Sequence, residues 1–409
     1  MTEMTLSIDG RRIAARSGQT VLEAALESGI HIPHLCHDPR LKPAGACRLC
    51  VVEIEGQRGL HTACTREVAD GMVVRTQSEE IRSMRRFVLE LLLSEHRVAC
   101  TTCDKDGECL LQDYAYEYSA SEKAYPNVAA AEGAANYATG NEAIEYDPSK
   151  CIRCGRCVRI CDEVQAVEAL TLRGRAGQTQ VTTGFDAPLR ESPCVTCGQC
   201  VSTCPTGALY ERKAKGLGQV KNLAKVATTC PYCGVGCRIE LNVNRRTRRI
   251  VRVTSATGFA PNYGNTCVKG RFGFDFVGHQ DRLTAPMIRR DGGLQPCTWD
   301  EALDFAAGRL REIIGRCGAD AAGGLASAKC TNEENYLFQK FVRSVMGTNN
   351  VDHCARLCHA STVAGLARAF GSGAMTNSIE DLERANAIFV IGSNTTECHP
   401  VIEIGRAHV

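Results

Sequence analysis

The sequence predicts a multidomain α+β chain organised around metal-ligating cysteines, and three observations carry that prediction. Its 409 residues suffice for two to four domains. It holds 25 cysteines, far more than packing requires. No basic stretch followed by an apolar one opens the N-terminus, so the expected compartment is reducing and cytoplasmic, where closely spaced cysteines serve as thiolate ligands more often than as disulfides. The third observation is a change of pattern near residue 286, from cysteine-rich loops to alternating helices and strands. Lys plus Arg is 48 against 46 for Asp plus Glu. That balance lacks the basic excess of a nucleic-acid binder, and no apolar run approaches the ~20 residues of a membrane helix. Neither nucleic acid nor membrane insertion is expected.

Thr5 to Ile8, the Asp9-Gly10 turn and Arg12 to Ala14 read as a β-hairpin. Thr20 and Glu23 have capping-box spacing for a helix through Val21, Leu22, Ala25 and Leu26 that Gly29 ends. Hairpin, helix and cysteine loop in this order resemble a plant-type ferredoxin, which implies a self-contained β-grasp domain over residues 1–76. Residues 77–118 open with an amphipathic helix from Ser78 to His96. Residues 119–143, rich in small and polar types, read as a connector. An internal cysteine repeat fills 144–212, and 213–227 reads as a second connector. Residues 228–285 hold short strands around Ile239 to Val243 and Ile250 to Val253. The basic run Arg245, Arg246, Arg248, Arg249 between them reads as a solvated hairpin tip rather than a nucleic-acid patch. Beyond 286, Thr298 and Glu301 cap a helix to about Ile314, and Thr331 and Glu334 cap another ending at Gly347. Ala387 to Ile391 is a continuous apolar run expected as a buried strand, giving 286–402 parallel α/β character.

The cysteines fall into five ligand sets. Cys36, Cys47, Cys50 and Cys64 (C-x10-C-x2-C-x13-C) suit a 2Fe-2S cluster; a zinc ribbon normally presents two C-x2-C pairs, and this set has one. His96, Cys100, Cys103 and Cys109 offer three thiolates and an imidazole, which fit a 4Fe-4S cubane and equally a Cys3His zinc site. Cys151, Cys154, Cys157, Cys161 and Cys194, Cys197, Cys200, Cys204 each read C-x2-C-x2-C-x3-C, the bacterial ferredoxin signature in which the fourth cysteine serves the other cluster. Cys204 is thereby expected with the first three and Cys161 with the second. Cys230, Cys233, Cys237 and Cys267 form a fifth set with a wide last gap. One 2Fe-2S and four 4Fe-4S clusters in one chain describe an electron conductor. Cys297, Cys317, Cys330, Cys354 and Cys398 fit no set and are expected to pack or to line a cofactor.

The order of these sets resembles the iron-sulfur subunit of respiratory complex I, iron-only hydrogenases and the alpha subunits of NAD-linked formate dehydrogenases. The fifth set followed by Val268-Lys269-Gly270-Arg271-Phe272 resembles the opening 4Fe-4S domain of molybdopterin oxidoreductases. Asn332 to Tyr336, Val351 to His359 and Asn394 to Pro400 resemble formate dehydrogenase. The resemblance implies a molybdenum or tungsten bis(molybdopterin guanine dinucleotide) centre with Cys358 as its protein thiolate and His359 as the neighbouring active-site histidine. It places Lys269 between the last cubane and the pterin, and Gly392, Asn394, Glu397 and His399 among the pterin contacts. Without the flanking match, Cys358-His359 would read as a buried structural cysteine beside a surface histidine.

Formate would be the substrate. No G-x-G-x-x-G opens a helix, so the resemblance implies a separate flavin/NAD-binding subunit and a small ferredoxin-like subunit as partners. Residues 403–409 depart from the family and are expected to be a non-native tail on a truncated frame. The rival readings are a complex I iron-sulfur subunit, which conducts without chemistry of its own, and a non-catalytic polyferredoxin adaptor.

Overall fold

Asp9 and Gly10 both take positive φ, 48° and 79°, the turn geometry that follows the twist of the flanking strands. β1 (Glu3–Ile8) therefore folds back on β2 (Arg11–Arg16) with Leu6 opposite Ile13. The computed structural model describes residues 3–125 and 140–407. The chain divides into two compact units: Met1–Cys230 with Cys237–Phe274 and Gly392–His408, and Pro231–Gly236 with Asp275–Ile391 and Val409.

In the first unit, α1 (Val21–Glu27) starts at the expected capping box: Thr20 Oγ1 accepts from Glu23 N and the Glu23 carboxylate accepts from Thr20 N. β3 (Val51–Ile54), β4 (Leu60–Thr62) and β5 (Val73–Arg75) complete a sheet of order β2-β1-β5-β3-β4, in which only the β1–β5 pair is parallel. Leu6, Ile8, Leu22, Val52 and Val74 close its core against α1, each such side chain contributing roughly 1.5–3 kcal/mol. α2 (Glu79–Glu95) runs from the Ser78 cap to His96, and its fully buried Arg85 donates to Tyr118 Oη and Val51 O, tying the helix to β3 and to the end of α3 (Leu110–Glu117).

Residues 1–76 are not self-contained, contrary to the sequence-based expectation. Leu35, Cys36, Cys47 and Leu49 share one apolar core with Leu89, Leu93, Cys109, Leu111, Tyr114, Ile152 and Cys154. The cysteine loop is too polar in backbone and too poor in apolar side chains to bury itself, so it packs on α2, α3 and the next module.

That module pairs β6 (Ile144–Tyr146) antiparallel with β9 (Leu209–Glu211) around the internal repeat. Between them lie α4 (Arg156–Arg159), the pair β7 (Thr171–Arg173) and β8 (Gln180–Thr182), and α5 (Gln199–Thr203). The repeat is visible in the backbone. Arg153 and Thr196 hold φ of 56° and 52°, Gly155 and Gly198 hold 70° and 73°, and the Arg153 and Thr196 N–H groups donate to Cys151 and Cys194 sulfurs at 3.4 Å each.

β10 (Leu223–Thr229), β11 (Arg238–Asn244) and β12 (Ile250–Thr254) form an antiparallel sheet. β10 begins inside the segment expected as a connector, because its alternation is weak and only pairing with β11 makes it a strand. The basic run is the exposed turn between β11 and β12. α6 (Val268–Phe272) follows Cys267. The connector at 119–143 lies largely outside the described residues.

The second unit contains the hairpin β13 (Met287–Arg290) and β14 (Gly293–Pro296), then α7 (Trp299–Cys317), whose Thr298–Glu301 capping box forms as expected. β15 (Gly324–Ala326) pairs parallel with β16 (Val351–His353) across α8 (Asn332–Lys340), which continues as a π-helical turn to Met346 before Gly347. α9 (Ala355–Cys358) and α10 (Ala360–Phe370) complete it. Ala387 to Ile391 is not a strand: Phe389 is 87% and Ile391 77% exposed, and the run pairs with nothing among the described residues. An apolar run becomes a strand only where a ladder partner takes its N–H and C=O groups. In the first unit, α11 (Thr395–Cys398) and α12 (Pro400–Ala407) follow, with Ile404 buried beside Leu41, Ile160 and Val164. α12 thus includes the first residues of the segment expected to be a tail.

Candidate iron-sulfur and pterin sites

Cys36, Cys47, Cys50 and Cys64 are all buried in the loop that covers the β-grasp sheet. Their sulfurs meet. Hydrogen bonds from Cys47 and Cys64 hold the Cys36 thiol far below its usual range, and the bond from Cys64 lowers Cys50. The same contacts push Cys47 and Cys64 up. Two of the four thus already favour the thiolate that iron requires.

His96, at the C-terminal end of α2, has Nδ1 3.0 Å from Lys150 O. A carbonyl only accepts, so Nδ1 carries the proton and Nε2 keeps a free lone pair. Burial lowers the pKa of this imidazole, leaving it neutral as a ligand must be. His96, Cys100, Cys103 and Cys109 line one small cavity together with Lys150 and Thr206.

In the repeat module the two runs exchange their last cysteines. Cys204 lies in the electrostatic field of Cys151, Cys154 and Cys157. Cys161 lines an apolar cavity with Cys194, Cys197 and Cys200, walled by Ile144, Leu170 and Leu189. Burial pushes Cys154 and Cys197 up to about 12 and Cys157 and Cys200 well above the usual thiol range. Such thiols ionise only when a cation displaces the proton, which is what cluster iron supplies.

In the fifth set, Cys230 N donates to Cys237 O at 2.8 Å, Cys267 caps α6, and Gly270 presents no side chain to the Cys230 sulfur, which a Cβ would meet at 3.4 Å. Cys233 lies in Pro231–Gly236 of the second unit, where its carbonyl accepts from Gly236. Among the described residues no three His, Cys, Asp or Glu side chains converge to hold a single ion. A cubane does not ask for that, since its four thiolates bind four irons. The donor sets fit iron-sulfur clusters.

Cys358 ends α9 and His359, at φ −149°, breaks the helix before α10; both side chains are exposed. Lys269 Nζ donates to Glu397 O at 3.0 Å. Asn394 Nδ2 donates to Glu397 Oε2 at 3.0 Å, Gly392 takes φ 61°, and His399 follows α11. Cys317, Cys330, Cys354 and Cys398 are exposed, so packing is not their role. Sequence reasoning does not separate Cys354 from the other unassigned cysteines, yet its sulfur accepts from Ala328 N at 3.3 Å, and that bond with His353 lowers its pKa. Its place four residues before Cys358 is the signal that could have marked it.

Comparison with known proteins divides the chain in this same order. Family models match the 2Fe-2S iron-sulfur cluster binding domain at residues 1–79, the NADH-ubiquinone oxidoreductase-G iron-sulfur binding region at 85–124, and the 4Fe-4S dicluster domain at 150–208. The molybdopterin oxidoreductase Fe4S4 domain matches 223–279 and molybdopterin oxidoreductase matches 282–408. The chain is a molybdopterin oxidoreductase that also carries a 2Fe-2S domain and an iron-sulfur region of the NADH-ubiquinone oxidoreductase type. Among curated relatives, the NADPH-Fe(3+) oxidoreductase subunit alpha of Geobacter sulfurreducens is 38% identical over 95% of this chain and 44% of its own. An NADH-quinone oxidoreductase subunit of Rhizobium meliloti is 39% identical over 97% and 45%. The "Putative formate dehydrogenase YrhE" of Bacillus subtilis is 33% identical over 99% and 45%. The chain spans less than half the length of these relatives. No helix among the described residues is long and apolar enough to cross a membrane.

Proposed function

We propose that this chain is the electron-conducting and substrate-oxidising part of a cytoplasmic formate dehydrogenase. When bound, a molybdenum or tungsten bis(molybdopterin guanine dinucleotide) supplies the two-electron oxidation of formate to carbon dioxide, and one 2Fe-2S and four 4Fe-4S clusters supply one-electron steps. Cys358 gives the metal its protein thiolate. His359 takes up the released proton, Lys269 bridges the pterin and the cubane of Cys230, Cys233, Cys237 and Cys267, and Gly392, Asn394, Glu397 and His399 line the pterin. Electrons leave through a flavin/NAD-binding subunit and a small ferredoxin-like subunit.

One observation carries this reading: Cys358 and His359 sit exposed at a helix break, outside every cluster set, where a structural cysteine would be packed. The 39% identity to an NADH-quinone oxidoreductase subunit supports a second reading, a conductor of electrons from NADH without chemistry of its own. Measuring molybdenum, tungsten and pterin in the full-length protein, with formate-dependent cluster reduction, separates the two. Bound metal and reduction by formate support the first; neither metal nor formate reduction leaves the second.

A further inference from the structure

Arg271 is hydrogen-bonded to the carbonyls of two cysteines from different ligand sets. Its backbone N–H donates to Cys267 O at 3.0 Å, and its side-chain Nε donates to Cys197 O at 3.1 Å. The side chain is 1% exposed and lies in the space a side chain at residue 198 would fill: a Cβ on Gly198 would stand 2.2 Å from Arg271 Cδ and 2.9 Å from Phe272 Cζ. Gly155, the counterpart of Gly198 in the first half of the repeat, has no such neighbour. Nη1 lies 3.9 Å from Glu211 Oε1, while Nη2 and Glu211 Oε2 have no partner. A buried guanidinium this incompletely satisfied is a poor device for stability alone.

We propose that Arg271 is a positioning residue for electron transfer between the cubane of Cys161, Cys194, Cys197 and Cys200 and the cubane that Cys267 serves, a role that rests on the ligand sets proposed above. It fixes the approach of the Cys267 helix to the Cys197-Gly198 turn, and its cation favours the reduced state of the ferredoxin-type cubane. In the step, one cubane loses one electron and the other gains it; no bond is made or broken. Glu211 modulates the charge. Burial raises its pKa to about 7 against the pull of Arg271 and Arg252, the two charged groups facing it. Below that pH the carboxyl is neutral and the cation stands uncompensated.

The test is potentiometric EPR on the full-length, cluster-loaded protein. Arg271→Gln lowers the midpoint potential of the ferredoxin-type cubane, leaves that of the 2Fe-2S cluster in place, and weakens the magnetic coupling between the two reduced cubanes. The potential gap from the unsubstituted protein widens as pH falls through 7, and in a Glu211→Gln background it becomes independent of pH. Arg271→Lys keeps the charge, so the potential returns toward the unsubstituted value while the coupling stays weak. Unchanged potential and coupling in Arg271→Gln overturn the proposal. If Arg271→Gln loads no cubane, Arg271→Lys decides, and unsubstituted coupling there overturns it. Absence of cubane signals from the unsubstituted protein would instead refute the ligand sets.

Discussion

Asp38 accepts from residues far apart in the chain: Arg40 Nε and Nη2 at 3.0 and 2.9 Å, Arg156 Nη2 at 3.0 Å and Thr203 Oγ1 at 2.8 Å. Burial alone would raise its pKa, but Arg40 and then Arg156 outweigh it and hold the carboxyl well below its usual range. A depressed folded-state pKa stabilises above the unfolded value near 4, and that contribution drains away as pH falls below it. Asp38→Asn should therefore cost roughly 3–5 kcal/mol at pH 7, read as a denaturation midpoint, with the difference from the unsubstituted protein shrinking below about pH 4. No sequence pattern announces this carboxylate, because its partners lie 118 and 165 residues away. The chemistry-bearing pair is more legible. In the full-length protein, Cys358→Ala should abolish formate oxidation while clusters are still reduced by NADH through the flavin subunit. His359→Ala should retain the metal and slow turnover by roughly 10² to 10⁴. Normal formate oxidation in Cys358→Ala would move the pure-conductor reading to first place.

Capping boxes at Thr20, Thr298 and Thr331, the Asp9-Gly10 turn and the Ser78–His96 helix were all readable, since each depends on residues within a few positions. β10 and the unpaired run at Ala387 to Ile391 were not, because a strand is defined by its partner. The C-x2-C-x2-C-x3-C repeat announced its ligands, whereas the shared core beneath the first cysteine loop did not. Deleting residues 1–76 should therefore do more than remove a 2Fe-2S signal. It uncovers Leu89, Leu93, Leu111 and Tyr114, so the signal of the His96 cubane should weaken as well. An EPR spectrum of that deletion with every 4Fe-4S signal intact would show the core to be dispensable.

Across the whole chain, anaerobic reconstitution should approach about 18 irons, the content of one 2Fe-2S and four 4Fe-4S clusters; a few zinc ions instead would remove the conductor reading. The second unit exposes Trp299, Leu325, Val345, Leu357, Phe389 and Ile391, more apolar surface than a lone monomer usually tolerates. The 409-residue chain should associate in sedimentation, while residues 1–274 stay monomeric. The cut belongs after Phe274 rather than at 212, because Arg271 and Phe272 fill the module that Gly198 opens. A monomeric full chain would show that surface to be harmless.

The core beneath the cysteine loop has a bearing on how the protein matures and ages. Cys36 and Cys47, Cys109, and Cys154 come from three different ligand sets and stand in one wall of apolar contacts. Iron delivery to any one of these sites helps close the walls of the others, so loading should be all-or-none across the group. Oxygen attack on one cluster loosens its neighbours in turn, and an ageing pool should divide into complete and emptied molecules with few between.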